Sequence, residues 1–171
     1  DATAIAEMNS KYLKYQLELK KTVDLVETKE TNILIKDILK AHERVLPENP
    51  IQNPEEYLPF VKKHFFDHID FNNNNLIHSS ILVDKIMDYV FYLTVAEDVK
   101  TQNELYVKAS HEVLDKIKDI NLKKGFVQAL IQSFYQDENV YVIDDLFNNY
   151  YNKIPQEMQD SEWKNNLLQE L

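Results

Sequence analysis

A chain of 171 residues with 44% hydrophobic residues has the length for one domain and the apolar content for a buried core. It has one glycine, Gly125, and no cysteine. Glycine-rich phosphate loops and tight-turned sheets are therefore disfavoured, and disulfides, thiol catalysis and cysteine-held zinc are excluded in this chain. The formal net charge is −10, and the lysines interleave with acids, as in Lys11, Lys14, Glu18, Lys20, Lys21 and Asp24. That pattern offers no basic face to a nucleic acid or an anionic membrane, and the longest apolar run is far shorter than the roughly 20 residues of a spanning helix.

In chain order, residues 2–27 read as one long helix, with Ile5, Met8, Tyr12, Tyr15, Leu19 and Val23 or Val26 recurring at three- and four-residue steps. Thr31 is placed to cap a second helix through about Arg44, with Ile35, Ile38 and Leu39 inward. Residues 46–54, "LPENPIQNP", form a proline-rich break and the chain's clearest boundary signal. Asn53-Pro54-Glu55-Glu56 then starts a third helix: Asn caps, proline fills the first helical position, and Glu56 can reach back. This helix carries Tyr57, Phe60, Val61, His64, Phe65 and His68 and should end near Ile69. Ser79 or Ser80 caps a fourth helix through Leu93, with Leu82, Ile86, Tyr89 and Leu93 on one stripe. Thr101-Gln102-Asn103-Glu104 is a capping box for a fifth, with Leu105, Ala109, Val113 and Ile117 inward. Asn121 caps a sixth with Phe126, Val127, Leu130 and Phe134. A seventh spans about 140–152 with Ile143, Leu146, Phe147 and Tyr150, and a last helix starts at Asp160 or Ser161.

Short connections between about eight helices predict an all-α fold, an irregular antiparallel bundle; a short α-solenoid of helical hairpins is the alternative. The whole of 1–171 reads as a single helical domain, with 1–46 an N-terminal helical pair and 51–171 the main bundle. The chain opens at Asp1 and not at methionine, so the lack of a visible signal segment carries no weight.

Three stretches have the residue types of a site. "DFNNNNLIHSSI", residues 70–81, sets Asp70, Asn72 and Asn74 at positions one, three and five of a calcium loop and Ile77 at position eight. The closing position, where a bidentate Glu belongs, holds Ile81, so calcium of useful affinity is not expected; Asn side chains bonding their own backbone would turn a corner instead. His64 and His68 stand one helical turn apart with Asp67 and Asp70 near, but Phe65 follows His64 where a zinc protease needs Glu. A half-buried imidazole face is the simpler reading, and no metal or cofactor is assigned. No serine lies in a Gly-x-Ser-x-Gly elbow, adjacent Ser110 and His111 point apart on a helix, and paired acids such as Asp144-Asp145 are ordinary on solvated faces. No catalytic residue is assigned. Ten tyrosines are many for this length. Tyr135, Tyr141, Tyr150 and Tyr151 fall close together late in the chain and are the candidate docking surface, since tyrosine combines apolar area with a polar tip.

The stretch "HFFDHIDFNNNNLIHSSILVDKIMDYV" resembles the helical domain of TlpA-like thiol-disulfide oxidoreductases of Bacteroidetes, a domain of unknown function that precedes a thioredoxin-fold domain. In that family an aromatic-rich helix enters an Asp-Asn-Ile-Asp-Phe turn, and here Phe66, Asp67, His68, Ile69, Asp70 and Phe71 stand in that pattern. "NVYVIDDLFNNYY", with Val140, Tyr141, Val142, Leu146, Tyr150 and Tyr151, is similar to a later helix of the same domain. "ILIKDILKAHERVLPENP", with Leu34, Ile38, Leu39, Lys40, Ala41 and Pro47, fits the helix and proline turn before both. The chain departs from the pattern at His78-Ser79-Ser80, where the family often has proline, and at Gln136-Asp137-Glu138, where it has a small-residue step with glycine.

The resemblance implies a non-catalytic module of a periplasmic or cell-envelope thiol-disulfide oxidoreductase. Its partners would be the C-terminal thioredoxin-fold domain of the same full-length chain, which carries the Cys-x-x-Cys pair, and a second copy in a homodimer. The expected work is to position or oligomerise the redox domain, with no nucleic acid and no membrane insertion in this segment. The alternative is a stand-alone ligand- or protein-binding helical domain with a pocket among His64, His68, Tyr89 and Tyr92. A metal-dependent hydrolase is a third option.

Overall fold

The computed structural model describes residues 2–77 and 79–170; His78 and the side chain of Asn74, both named above, lie outside the described residues. The fold is all-α: among the described residues there are helices and no strand. The described residues form nine α-helices, one more than the eight read from the sequence. These are α1 (Ala2–Lys29), α2 (Ile33–His42), α3 (Pro54–His64), α4 (Asn74–Ile77), α5 (Ile81–Met87), α6 (Val99–Leu114), α7 (Ile120–Gln136), α8 (Val140–Asn149) and α9 (Ser161–Glu170). A π-helical turn, Asp88–Tyr92, extends α5, and two 3-10 turns, Tyr151–Lys153 and Gln156–Met158, lie between α8 and α9. Among the described residues no helix is long and apolar enough to cross a membrane.

The chain forms two compact units, Asp1–Ile81 and Leu82–Leu171. The proline-rich stretch 46–54 lies inside the first. There α2 packs against α4, and Ala41, Ile69, Phe71, Leu76 and Ile81 are buried. The two helix starts follow the capping rule: Asn32 accepts from the Leu34 amide at 3.0 Å, and Asn53 from the Glu55 amide at 3.0 Å with Pro54 at the first helical position. Helix α3 stops at His64, short of Ile69. Three-residue turns take over, with Asp67 N–H donating to the His64 carbonyl and Ile69 N–H to that of Phe66. This tighter path stacks Phe66 on Phe71, ring centroids 5.3 Å apart, and turns Ile69 and Phe71 inward. The Asn run winds into α4, a turn too short to show as periodicity.

Of the apolar stripe of α1, Ile5, Met8, Tyr15 and Leu19 are exposed and Tyr12, Val23 and Val26 only half-covered, and no residue from Thr3 to Lys29 is buried. The half-covered side of the helix is rotated to Asn9, Tyr12, Gln16, Val23 and Glu27. There Tyr12 Oη and Gln16 Nε2 both donate to the Pro47 carbonyl, at 3.0 and 2.8 Å. The apolar steps of α1 repeat every 3.5 residues, which makes a narrow seam and not the broad stripe that faces a globular core. Ile35 on α2, expected inward, is exposed.

The second unit has the larger core. Helix α8 packs on α6 and α7, and the π turn packs on α6. Phe126, Val127, Leu130, Ile131 and Phe134 of α7, Val142, Ile143, Leu146 and Phe147 of α8, and Ala109, Val113 and Leu114 of α6 are buried. The burial of 81, 82, 85, 86, 89 and 90 recurs every four residues, wider than the 3.6 of an α-helix. Widening to a π turn keeps Tyr89 and Val90 inward, with Leu93 N–H reaching back to the Asp88 carbonyl at 3.1 Å.

Candidate interaction surface

The tyrosine set does not form one patch. Tyr141 is 57% exposed at the start of α8. Tyr150 stands at its other end, about 13 Å along the axis at 1.5 Å per residue. Tyr135 is half-buried at the end of α7. Tyr151 is not a surface residue: it is fully buried against Phe147 and Trp163, ring centroids 5.4 and 5.2 Å away. Its hydroxyl donates to the Asp160 carbonyl at 3.0 Å and accepts from the Asp160 amide at 2.9 Å, tying the start of α9 to the core. A sequence cannot tell Tyr150 from Tyr151 on this point, because the helix ends between them and the 3-10 turn sends the second inward.

Tyr141 lines an open groove of about 340 Å³ with Val99, Asn103, Asp137, Glu138, Asn139 and Val140. Val99 and Val140 are largely exposed, as are Val95 and Tyr92 of the same unit. The groove floor is built by the α7–α8 turn. Glu138 N–H donates to the Tyr135 carbonyl and Asn139 N–H to that of Phe134, which closes α7. That closure puts Glu138 at φ 53°, the left-handed region that glycine takes at least cost. Asn139 caps α8 through the Val142 amide and also donates to Asn103 Oδ1 at 2.7 Å, bracing the turn against α6.

Sequence reading missed a polar cluster between α6 and α8. His111 Nε2 lies 2.5 Å from Asp145 Oδ2, Asn149 donates to the other Asp145 oxygen at 2.8 Å, and Tyr150 packs edge-on to the imidazole. The Tyr150 hydroxyl donates to Asp115 at 2.9 Å. Burial first, then that bond and the charges of Asp115 and Asp145, hold its pKa well above the usual tyrosine value. The four-residue spacings 111/115 and 145/149, which put polar groups on one stripe of each helix, were the available signal. Neighbouring Ser110 is buried, and its hydroxyl has no hydrogen-bond partner among the described residues.

The first unit holds the His and Asn candidates. With α3 ending at His64, the two histidines do not share a helix face. His64 Nδ1 pairs with Asp67 at 2.6 Å and stacks on Phe60, whereas His68 Nδ1 lies 3.7 Å from Glu43. Among the described residues no group of three or more His, Asp or Glu is placed to hold a metal ion. In the loop, Asp70 Oδ1 accepts from the Asn72 amide at 2.8 Å and Asn73 Oδ1 from that of Asn75 at 2.9 Å. Asn75 Nδ2 donates to Asp37 Oδ2 at 2.8 Å, so the loop is tied to α2; that bond and one from Asn73 hold the Asp37 carboxyl below its usual pKa. A recess of about 230 Å³ lies here, lined by Asp37, Lys40, Asp67, His68, Ile69, Asp70, Asn73 and Leu76. Of the four residues expected to frame a ligand pocket it takes only His68. Tyr89, in the second unit, is buried with its hydroxyl on Glu112 at 2.6 Å, and Tyr92 is exposed.

Compared with protein-family models, curated proteins and solved structures, the chain matches none.

Proposed function

We propose that the chain is a non-catalytic helical module of a cell-envelope thiol-disulfide oxidoreductase, and that it works by contact, positioning a thioredoxin-fold domain. The observation that carries this reading is the groove at 99 and 137–141. There Val99, Val140 and Tyr141 stand beside the amides of Asn103 and Asn139 and the carboxylates of Asp137 and Glu138, and inter-domain contacts within one chain are modest in area and partly polar. The left-handed Glu138 adds support, because it stands at the step where the resembled family carries glycine. Of the sequence-derived tyrosines, Tyr141 belongs to the groove and Tyr135 precedes its turn. Tyr150 and Tyr151 pack the unit itself.

The test uses the full-length reading frame. A thioredoxin domain with a Cys-x-x-Cys pair should follow this chain. In that protein Tyr141→Ala with Val140→Asp should alter domain spacing in small-angle scattering and lower disulfide reductase turnover, with helicity retained. A reading frame lacking the pair, or unchanged spacing and turnover, contradicts the proposal.

A further inference from the structure

We propose that α1 docks, antiparallel, on α1 of a second copy of this chain. This deepens the contact reading by naming a partner for the first unit, but it stands on a different surface. The seam is a seven-residue repeat: Ile5, Met8, Tyr12, Tyr15, Leu19, Thr22 and Val26 follow in unbroken alternating steps of three and four along a helix of 28 residues. That spacing is what two helices need to supercoil, knob into hole. Within the first unit most of the seam is open: Ile5 is 43% exposed, Met8 43%, Tyr15 65% and Leu19 54%, while Tyr12, bonded to Pro47, and Val26 are half-covered.

The flanks decide orientation and occupant. On one side of the seam lie Asn9, Gln16 and Val23, the side that α1 turns toward Pro47, where Gln16 is already bonded. On the other lie Ala4, Lys11, Glu18 and Leu25, open to water. In a parallel pair each edge joins an open flank to a committed one. In an antiparallel pair one edge joins the two open flanks and the other joins the two committed flanks, Asn9 facing Gln16, so orientation is decided by which arrangement matches the charges of the open flank.

The antiparallel register is then self-complementary. Met8 faces Leu19 of the second copy, Tyr12 faces Tyr15, and Ile5 faces Thr22. On the open edge Lys11 meets Glu18, twice by symmetry, and Ala4 meets Leu25. Among the described residues Lys11 and Glu18 pair within the helix, with Glu7 at 2.7 Å and Lys14 at 4.0 Å, and their side chains are 64% and 58% exposed. Such surface pairs contribute little and exchange partners at low cost. A parallel pair sets Lys11 against Gln16 and Glu18 against Val23, with no charge match.

Sedimentation equilibrium of the 171-residue chain, from about 1 to about 500 μM to bracket weak specific association, should show a monomer–dimer equilibrium. Lys11→Glu and Glu18→Lys should each weaken the dimer about tenfold or more, because two like-charge pairs replace two opposite ones. The double variant K11E/E18K should recover wild-type association, since the pair is restored with its signs exchanged. The chain has no cysteine, so introduced thiols report directly. K11C/E18C should oxidise to a covalent dimer, and K11C alone should not. A monomer at every concentration hands the face to some other partner and overturns self-docking, leaving the reductase test above to stand or fall alone. A dimer indifferent to the charge variants, a double variant that does not recover, or crosslinking by K11C alone each overturns the antiparallel register. Circular dichroism of every variant checks that helicity is kept.

Discussion

The two units use their apolar residues in opposite ways. In the second, α6, α7 and α8 turn Val113, Leu130, Phe134, Ile143 and Leu146 wholly inward, and polar side chains such as His111, Asp145 and Tyr150 pair across helices at the margin. In the first, a short buried set around Ala41, Ile69, Phe71 and Leu76 accompanies a long helix with a half-covered side and no buried residue from Thr3 on, while Ile5, Met8, Leu13, Tyr15, Leu17, Leu19 and Leu25 stay open. Burial of apolar area drives folding, so one unit has the means to hold itself together and the other keeps apolar area in reserve. The lesson is that apolar periodicity alone does not tell a core stripe from a docking seam; width does, two adjacent buried positions per turn on α6, α7 and α8 against one apolar position per turn on the α1 seam.

The sharpest way to break this contrast is a pair of truncations. Phe134→Ala empties a buried aromatic site that touches Phe91 and Tyr106, centroids 4.8 and 5.2 Å away, and should cost about 3–5 kcal/mol in urea unfolding. Leu17→Ala on exposed α1 should stay within about 0.5 kcal/mol. Equal costs would mean that α1 is not the open element described. Next in size is Tyr151→Phe, which keeps the ring packing and removes both hydroxyl bonds to Asp160. It should lower stability by about 1–2 kcal/mol, whereas an unchanged midpoint would show that water replaces those bonds freely.

These sites also show what could be read in advance. The all-helical class followed from one glycine in 171 residues; of the caps, Asn53 was read correctly, whereas Asn32 caps α2 where Thr31 was expected. Asp98 caps α6 in place of the expected Thr101, and Asp119 caps α7 in place of Asn121, each accepting from an amide of the first turn and placing negative charge at a helix N-terminus. The buried faces of α6, α7 and α8 matched their stripes. Three kinds of feature escaped. Turns of three or four residues, such as α4, are too short to show a period. Partnerships over long separations, such as His111 with Asp145, leave no local trace. Tyr150 and Tyr151 differ only because the helix ends between them.

Two smaller effects refine the picture of the second unit. Glu138→Gly should raise stability by about 0.5–1 kcal/mol, because the left-handed turn strains a side chain and not a glycine. A loss would mean that the Glu138 side chain contributes more than its backbone costs. Alkali should act through Tyr89 and Tyr150, whose pKa values burial and then the carboxylates of Glu112 and Asp115 push up in the folded chain. In the unfolded chain they ionise near pH 10, so their contribution is complete below that pH and falls away as pH climbs toward the folded values. The urea midpoint should therefore decline above about pH 10, and Tyr150→Phe should flatten that decline; an equally steep decline in the variant would remove Tyr150 from the account.

Hydrogen exchange by mass spectrometry at low and high protein concentration tests the central claim most directly. Amides of α6, α7 and α8 should be strongly protected at both concentrations. Those of α1 should exchange fast when dilute and gain protection when concentrated, as the seam finds its second copy. An α1 as protected as α7 in dilute solution, or one whose exchange never responds to concentration, would contradict the division between a self-sufficient unit and one built to be covered.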